Sequence, residues 1–424
     1  MSMEIKRSCI GEGINLTEIY DSKFKTTQIR INFISPVSRD TLLEYGLAGR
    51  LMVTSNAAIP SRTELSRRLS GLYGAYVTSA HYHGGNYQTL SLTADFISDR
   101  YTIDGEVISE EVTGILLDCL IRPDFENGAF REDYFRLRLK DLRDAIAANI
   151  NDKRSYGYEL ARSIAYRGEM SGISKTMLAD RLDSLTPQSV AESRERLIAE
   201  SAVEIYLCSG EECSGALKML KNAAKGFERR NVCVPSYKCP SPAKAETERA
   251  EKAMELNQSK LYMAFKSDYE GLYEMKVFQA VFGATPMSRL FLNVREKLSL
   301  CYYCSAGYNE FTNTIMVDSG VDSENLEKTQ EAILEQLKAL AGGEITDEEL
   351  EDTKRFLCGL YKTNTDSVSD TLDWYETQQT RGTDYDPAGQ CSRIMQVTKE
   401  QITECAKSLK LDTVFILKAE EVEA

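Results

Sequence analysis

Residues 288–302 read SRLFLNVREKLSLCY. Leu290, Phe291 and Val294 recur at helical spacing, which predicts a helix with that side against a core. Arg295 lies late on this helix, and Tyr302, seven positions on, starts the strand that follows the turn. A guanidinium and a phenol that converge on one spot can both donate to a carbonyl oxygen gaining negative charge. The same residues also suit an arginine at a helix C-terminus and a half-buried tyrosine in a strand. Spacing alone leaves both readings open.

Outward from this segment, the chain of 424 residues repeats itself. Alternating strands QIRINFI (28–34) and KLYMAFK (260–266) open the two halves, and helical patterns follow at 42–52 and 273–282. Each half then has a hairpin, GAYVTSAHYHGGNYQTLSLTADF and LCYYCSAGYNEFTNTIMVDSG, and an offset of 226 places Tyr76 on Tyr302, Ala80 on Ala306 and Tyr82 on Tyr308. Farther on, FREDYFRLRLKDLRDAI matches ITDEELEDTKRFLCGLY, and Arg167-Gly168 matches Arg381-Gly382. SLTPQSV and QVTKEQI begin the last helix of each half, with Thr186 and Thr398 as N-caps; Thr346 caps another, with Glu349 at the capping-box position. This order predicts an α+β fold of two tandem homologous domains, each a mainly antiparallel sheet packed on one face by helices. The expected boundaries are 1–231, a linker at 232–258 that holds three of the nine prolines, and 259–424.

Net charge is −14, which argues against nucleic acid and accords with a basic or extended peptide ligand. No apolar run reaches the length of a membrane span, and MSMEIKRSCIGEGINL lacks the pattern of a signal peptide. The eleven scattered cysteines therefore read as reduced thiols of a cytoplasmic protein.

Gly283, Ser288-Arg289-Leu290-Phe291, Val294-Arg295-Glu296-Lys297, Leu300 and Tyr302 stand in the order of a C-terminal-domain segment of the pitrilysin/insulinase family of zinc peptidases. ITDEELEDTKRFL and SLTPQSV fit the same family, so the chain resembles these proteins, which include the mitochondrial processing peptidases, through most of its length. The resemblance implies a processing-peptidase-like fold, and implies that Arg295 and Tyr302 bind the substrate backbone across from a zinc ion.

The departure is the metal motif. No H-x-x-E-H occurs, and the corresponding helix places Leu47, Arg50 and Leu51 where His, Glu and His would stand, within a residue or so. Asp144 or Ala145 falls near the remaining ligand position. Leucine and arginine offer zinc no imidazole, thiolate or carboxylate. The chain thus resembles a non-catalytic, YfmF-like subgroup without the zinc motif.

What this implies is a non-catalytic subunit of a heteromeric metallopeptidase. It would have no catalytic residue or cofactor of its own and would bind extended peptide through Arg295 and Tyr302. It would complete in trans the active site of a zinc-bearing homologous subunit. A purely structural or peptide-holding protein, monomeric or homodimeric, is the alternative.

His81 and His83 share one face of a strand, which allows either exposed hairpin histidines or a two-imidazole metal clip. A metalloenzyme built on them is a third reading. Cys301 and Cys304 form a C-x-x-C in a strand-like segment, which predicts thiols on opposite faces. No nucleotide-binding or hydrolase signature is present.

Overall fold

The computed structural model describes residues 3–420. The chain divides into two compact units. The first contains the residues through Ala147, Lys175–Tyr237 and Thr365–Arg381. Its strands are β1 (Glu4–Gly11), β2 (Ile14–Tyr20), β3 (Thr26–Pro36), β4 (Tyr76–Gly84) and β5 (Tyr87–Ile97), a two-residue pair β6 (Phe125–Glu126) and β7 (Ala129–Phe130), and β8 (Ala202–Ser209). The main sheet runs β1-β2-β8-β3-β5-β4, antiparallel except where β2 lies beside β8.

Side chains alternate across a strand, so β3 and β5 send Ile29, Ile31, Phe33, Leu90, Leu92 and Phe96 into the core. Helices Leu42–Met52, Ile108–Ile121 and Pro187–Glu200 cover that face. The other face is polar and receives the helix Val368–Arg381 through hydrogen bonds. Arg30 Nη1 donates to Asp373 at 2.6 Å and to Glu376 at 2.8 Å, and the Tyr206 hydroxyl donates to Gln379 at 2.7 Å.

The second unit contains Ala148–Ser174, Lys238–Asn364 and the chain from Gly382 onward. Its strands are β9 (Glu248–Glu255), β10 (Ser259–Lys266), β11 (Tyr303–Asn309), β12 (Thr314–Val321) and β13 (Lys410–Glu420), ordered β11-β12-β10-β13-β9 with only β13 and β9 parallel. Leu261, Met263, Phe265, Ile315 and Val317 enter the main core with Phe278 and Phe282. On the opposite face Tyr262, Ala264, Met316 and Phe415 pack against the helix Lys153–Ala165 through Tyr156, Ala161 and Ala165.

With β1 set aside, the two sheets have the same strand order and the same single parallel pairing. Register is repeated as well: Ala80 faces Ser91 and Ala306 faces Val317, each shifted by 226. The turn before each hairpin carries a non-glycine residue in the left-handed region, Tyr73 at φ 56° and Ser299 at φ 51°. Such residues are uncommon, so their equivalence marks a shared backbone path.

The units interleave where the sequence predicts consecutive domains. Residues 148–174 join the second sheet and 365–381 the first. The expected linker at 232–258 carries β9, whose residues Glu248–Glu255 are charged and mostly exposed. Only Ala250 and Met254 of this edge strand pack against a core, too few for the apolar alternation that reveals other strands. Among the described residues no helix is long and apolar enough to cross a membrane.

Candidate functional site

The helix Leu272–Gln279 runs on into a widened turn, Ala280–Ala284. Gly283 lies against β11 so closely that a Cβ would sit 2.7 Å from Ala306 Cβ, which leaves glycine as the residue that fits. The next helix, Leu290–Lys297, is wound with i→i+5 bonds, and the Leu298 amide closes it by donating to Asn293 O at 3.0 Å. Local π winding of this sort is frequent at functional sites. Leu290 and Val294 are buried and fix the rotation of the helix.

Arg289 braces its start with a two-pronged pair to Glu349, at 2.7 and 2.9 Å. Glu349 is thereby drawn from its expected capping-box role. Thr346 still accepts from the Glu349 amide at 3.1 Å, while Thr186 and Thr398 form complete boxes with Ser189 and Gln401. After the turn at Ser299, the Leu300 amide donates to Val294 O at 3.2 Å and the Tyr302 amide to Gly320 O at 2.9 Å.

These restraints bring the two residues singled out from the sequence together. Arg295 Nε donates to the Tyr302 carbonyl at 2.9 Å, its guanidinium lies 4.6 Å from the Phe291 ring centroid, and Nη1 is 3.0 Å from Glu296. Tyr302 is 59% exposed. Its hydroxyl has no hydrogen bond among the described residues. One N–H of the arginine thus holds the tyrosine backbone, while other guanidinium donors and the phenol stay available to a carbonyl ligand.

The positions of the absent metal motif have the opposite character. Leu47 and Leu51 are sealed in the core of the first unit. Lys175 has its pKa lowered to about 8, first by burial and then by the Arg50 charge. Its Nζ donates to His81 O at 3.0 Å. Asp144 is paired with Lys140 on the exposed side of its helix. A zinc ion does not fit here: two leucines stand where ligands would, and the nearby charges, Arg50 and Lys175, repel a cation. Among the described residues no three His, Cys, Asp or Glu side chains are grouped to hold a metal.

The family description "Peptidase M16 inactive domain" matches residues 184–357. The chain is 22% identical over 421 residues to a Bacillus subtilis protein named "Probable inactive metalloprotease YmfF", covering 96% of both. The chain is thus similar to inactive M16 peptidase homologues, by the family description over residues 184–357 and by this relative over most of its length.

A solved conserved protein from Enterococcus faecalis superposes with a TM-score of 0.91 at 26% identity, covering 99% of this chain and 100% of that one. An M16 inactive domain from Pseudomonas fluorescens gives 0.80 at 16% identity, with 99% of each chain covered, a likeness of fold.

Two further motifs are placed otherwise than strand periodicity predicts. Gln88 donates to Pro36 O at 3.0 Å and to Thr41 at 2.7 Å, so its carbonyl oxygen accepts from His81 Nε2 at 3.2 Å. The other ring nitrogen of His81 is shut off from solvent beside Gly46, and burial, then the charge of Lys175, holds the imidazole neutral. His81 is therefore a packed hairpin residue and not an exposed one. Cys301 and Cys304 do not point apart either: the chain bends at Tyr302 before β11 begins, and both side chains face the second unit's main core. The period-two rule failed because residue 301 lies outside the ladder. The i→i+5 winding and the Arg289–Glu349 brace had no signal in the pattern, since apolar spacing reports a helix without its pitch.

Proposed function

We propose that this inactive M16 homologue holds an extended peptide and lends Arg295 and Tyr302 to a zinc-bearing homologous subunit, completing that subunit's active site in trans. The observation that carries this reading is the exposed Tyr302 phenol fixed beside Arg295 by the 2.9 Å bond to its own carbonyl. Two donors aimed outward from a braced turn suit a scissile carbonyl whose oxygen gains charge. The adjoining strand β11 is the end strand of its sheet. Its outer backbone groups can pair with a peptide laid alongside, a mode in which main-chain bonds supply the affinity. The net charge of −14 favours a basic peptide, and the eleven free thiols suit a reducing cytoplasm.

The test is to mix the purified chain with the H-x-x-E-H homologue of the same organism and follow cleavage of a peptide. Stimulation that is lost with Arg295→Ala and reduced with Tyr302→Phe is the expected result. Partner activity indifferent to both substitutions removes the trans role; peptide binding without any partner, by a homodimer, supports the holding protein instead.

A further inference from the structure

We infer that β9 is a self-docking edge, through which two copies of this chain join their second sheets by antiparallel pairing. The duplication itself marks the edge. β2 of the first sheet and β9 of the second hold the same place, each parallel to the strand beside it. Beyond β2 the first sheet adds β1, antiparallel along β2 from Ile14 to Tyr20. β9, among the described residues, pairs with β13 alone. One copy of the fold thus shows that this edge accepts an antiparallel strand. The other copy leaves its outer row of amides and carbonyls open to a partner.

The order of charges names that partner. β9 begins Glu248, Arg249, Ala250, Glu251, Lys252. When a second copy is laid antiparallel with Ala250 opposite Ala250, Glu248 meets Lys252 and Arg249 meets Glu251. Each of these pairings occurs twice across the two-fold axis, and no like charges meet. Moving the centre by a half or a whole residue either way puts like charges opposite. Glu248 then falls on Glu251, Arg249 on Lys252, Arg249 on itself or Glu251 on itself. Opposite charges directly across a ladder stabilise it and like charges destabilise it. The sequence therefore specifies both a second copy and a register. Charges on an edge ordinarily keep strands apart; the alternation of sign here admits this one pairing.

The side chains divide between two faces. Ala250 and Met254 pack against the core beside the helix Lys153–Ala165. On that face Lys252 donates to the Tyr156 hydroxyl at 2.7 Å, and Glu248 is held by Arg167 at 2.5 Å and Lys244 at 2.9 Å. On the opposite face Arg249 is exposed and reaches Gln330 at 3.1 Å. Glu251 is exposed there too, with no ion pair among the described residues. Arg249 and Glu251 thus meet less competition from their own chain, and they carry the test.

Pairing makes two five-stranded sheets into one continuous sheet about a two-fold axis, a closed, isologous contact. β11 is the far end of each sheet from β9. The strand beside Tyr302 therefore stays open, and the inference stands independently of the trans reading. A contact between two strands is small and belongs with transient interfaces.

The experiment is sedimentation velocity on the reduced full-length chain over a micromolar-to-millimolar series, where a monomer–dimer equilibrium is expected. Arg249→Glu and Glu251→Arg should each weaken the dimer about tenfold, because each sets two like-charged pairs across the ladder. Combining Arg249→Glu with Glu251→Arg should restore it. Circular dichroism and the urea midpoint should not move, since both side chains are exposed. Under mild oxidation Ala250→Cys should give a 250–250 disulfide between copies, mapped by mass spectrometry, because directly opposite residues lie within disulfide reach. Ala253→Cys, which faces Thr247 in this register, should give no 253–253 link.

A chain that stays monomeric and forms no 250–250 link overturns the inference, as does a dimer indifferent to both charge reversals. Single variants that weaken the dimer without recovery in the double variant overturn the register.

Discussion

The two hairpins β4–β5 and β11–β12 share register and the left-handed residue of the preceding turn, yet they carry different side chains. At the place of Arg295 the first unit has Leu69, which is buried. At the place of Tyr302 it has Tyr76, which is 52% exposed. A duplicated backbone therefore presents a guanidinium beside its phenol in one copy, and a sealed leucine in the other. Backbone path alone does not make the site; one side chain in each copy decides whether the turn serves solvent or core.

The largest effect expected is on stimulated peptide cleavage. Arg295→Ala should lower it by about 10²–10³-fold, the usual cost of losing a donor to a developing oxyanion. Tyr302→Phe should cost less, and Tyr76→Phe should change nothing; equal losses at the two tyrosines would break the distinction between the copies. Urea denaturation should rank the pair in reverse. Leu69→Ala should destabilise by about 2–4 kcal/mol through an unfilled core site, and Arg295→Ala by less than about 1 kcal/mol.

A smaller effect concerns buried charge. Lys266 of the second unit has Asp412 at 3.4 Å, whereas Lys175 of the first makes no ion pair among the described residues. Lys175 falls to about 8 in the fold from 10.5, so the unfolded chain holds its proton more tightly. Its contribution is unfavourable below pH 8 and is relieved as pH rises from about 8 to 10.5. Lys175→Met should raise stability at pH 7 by about 1–3 kcal/mol and flatten that rise; an unchanged pH profile would sink the assignment. Smallest, Thr346→Ala should cost about 1 kcal/mol of stability through the lost cap. Glu349→Ala should loosen the Arg295 helix, seen as faster amide exchange at 290–297, because its partner is Arg289.

Much of this was readable in the residues. The strands at 28–34 and 260–266 and the helix at 42–52 follow from apolar periodicity, and Thr186 and Thr398 from capping chemistry. The pair Arg295 and Tyr302 came from a fifteen-residue segment, and the structure unites them through a backbone acceptor that no side-chain pattern announces. β9 was hidden because an edge strand can be charged on both faces. Cys301 and Cys304 turn toward one core because the chain bends one residue before its ladder begins.

Sequence by itself determined the elements, the repeat and the loss of every zinc-binding side chain at Leu47, Arg50 and Leu51, since these depend on residue type and on spacing along the chain. Only the tertiary structure decided that the helices Lys153–Ala165 and Val368–Arg381 serve the sheets of the opposite halves, and that Tyr302 is held by Arg295 while Tyr76 is not. Those outcomes turn on which surfaces meet across hundreds of residues. Pairing of that range is set by shape and hydrogen-bond complementarity in three dimensions, and local periodicity carries no record of it.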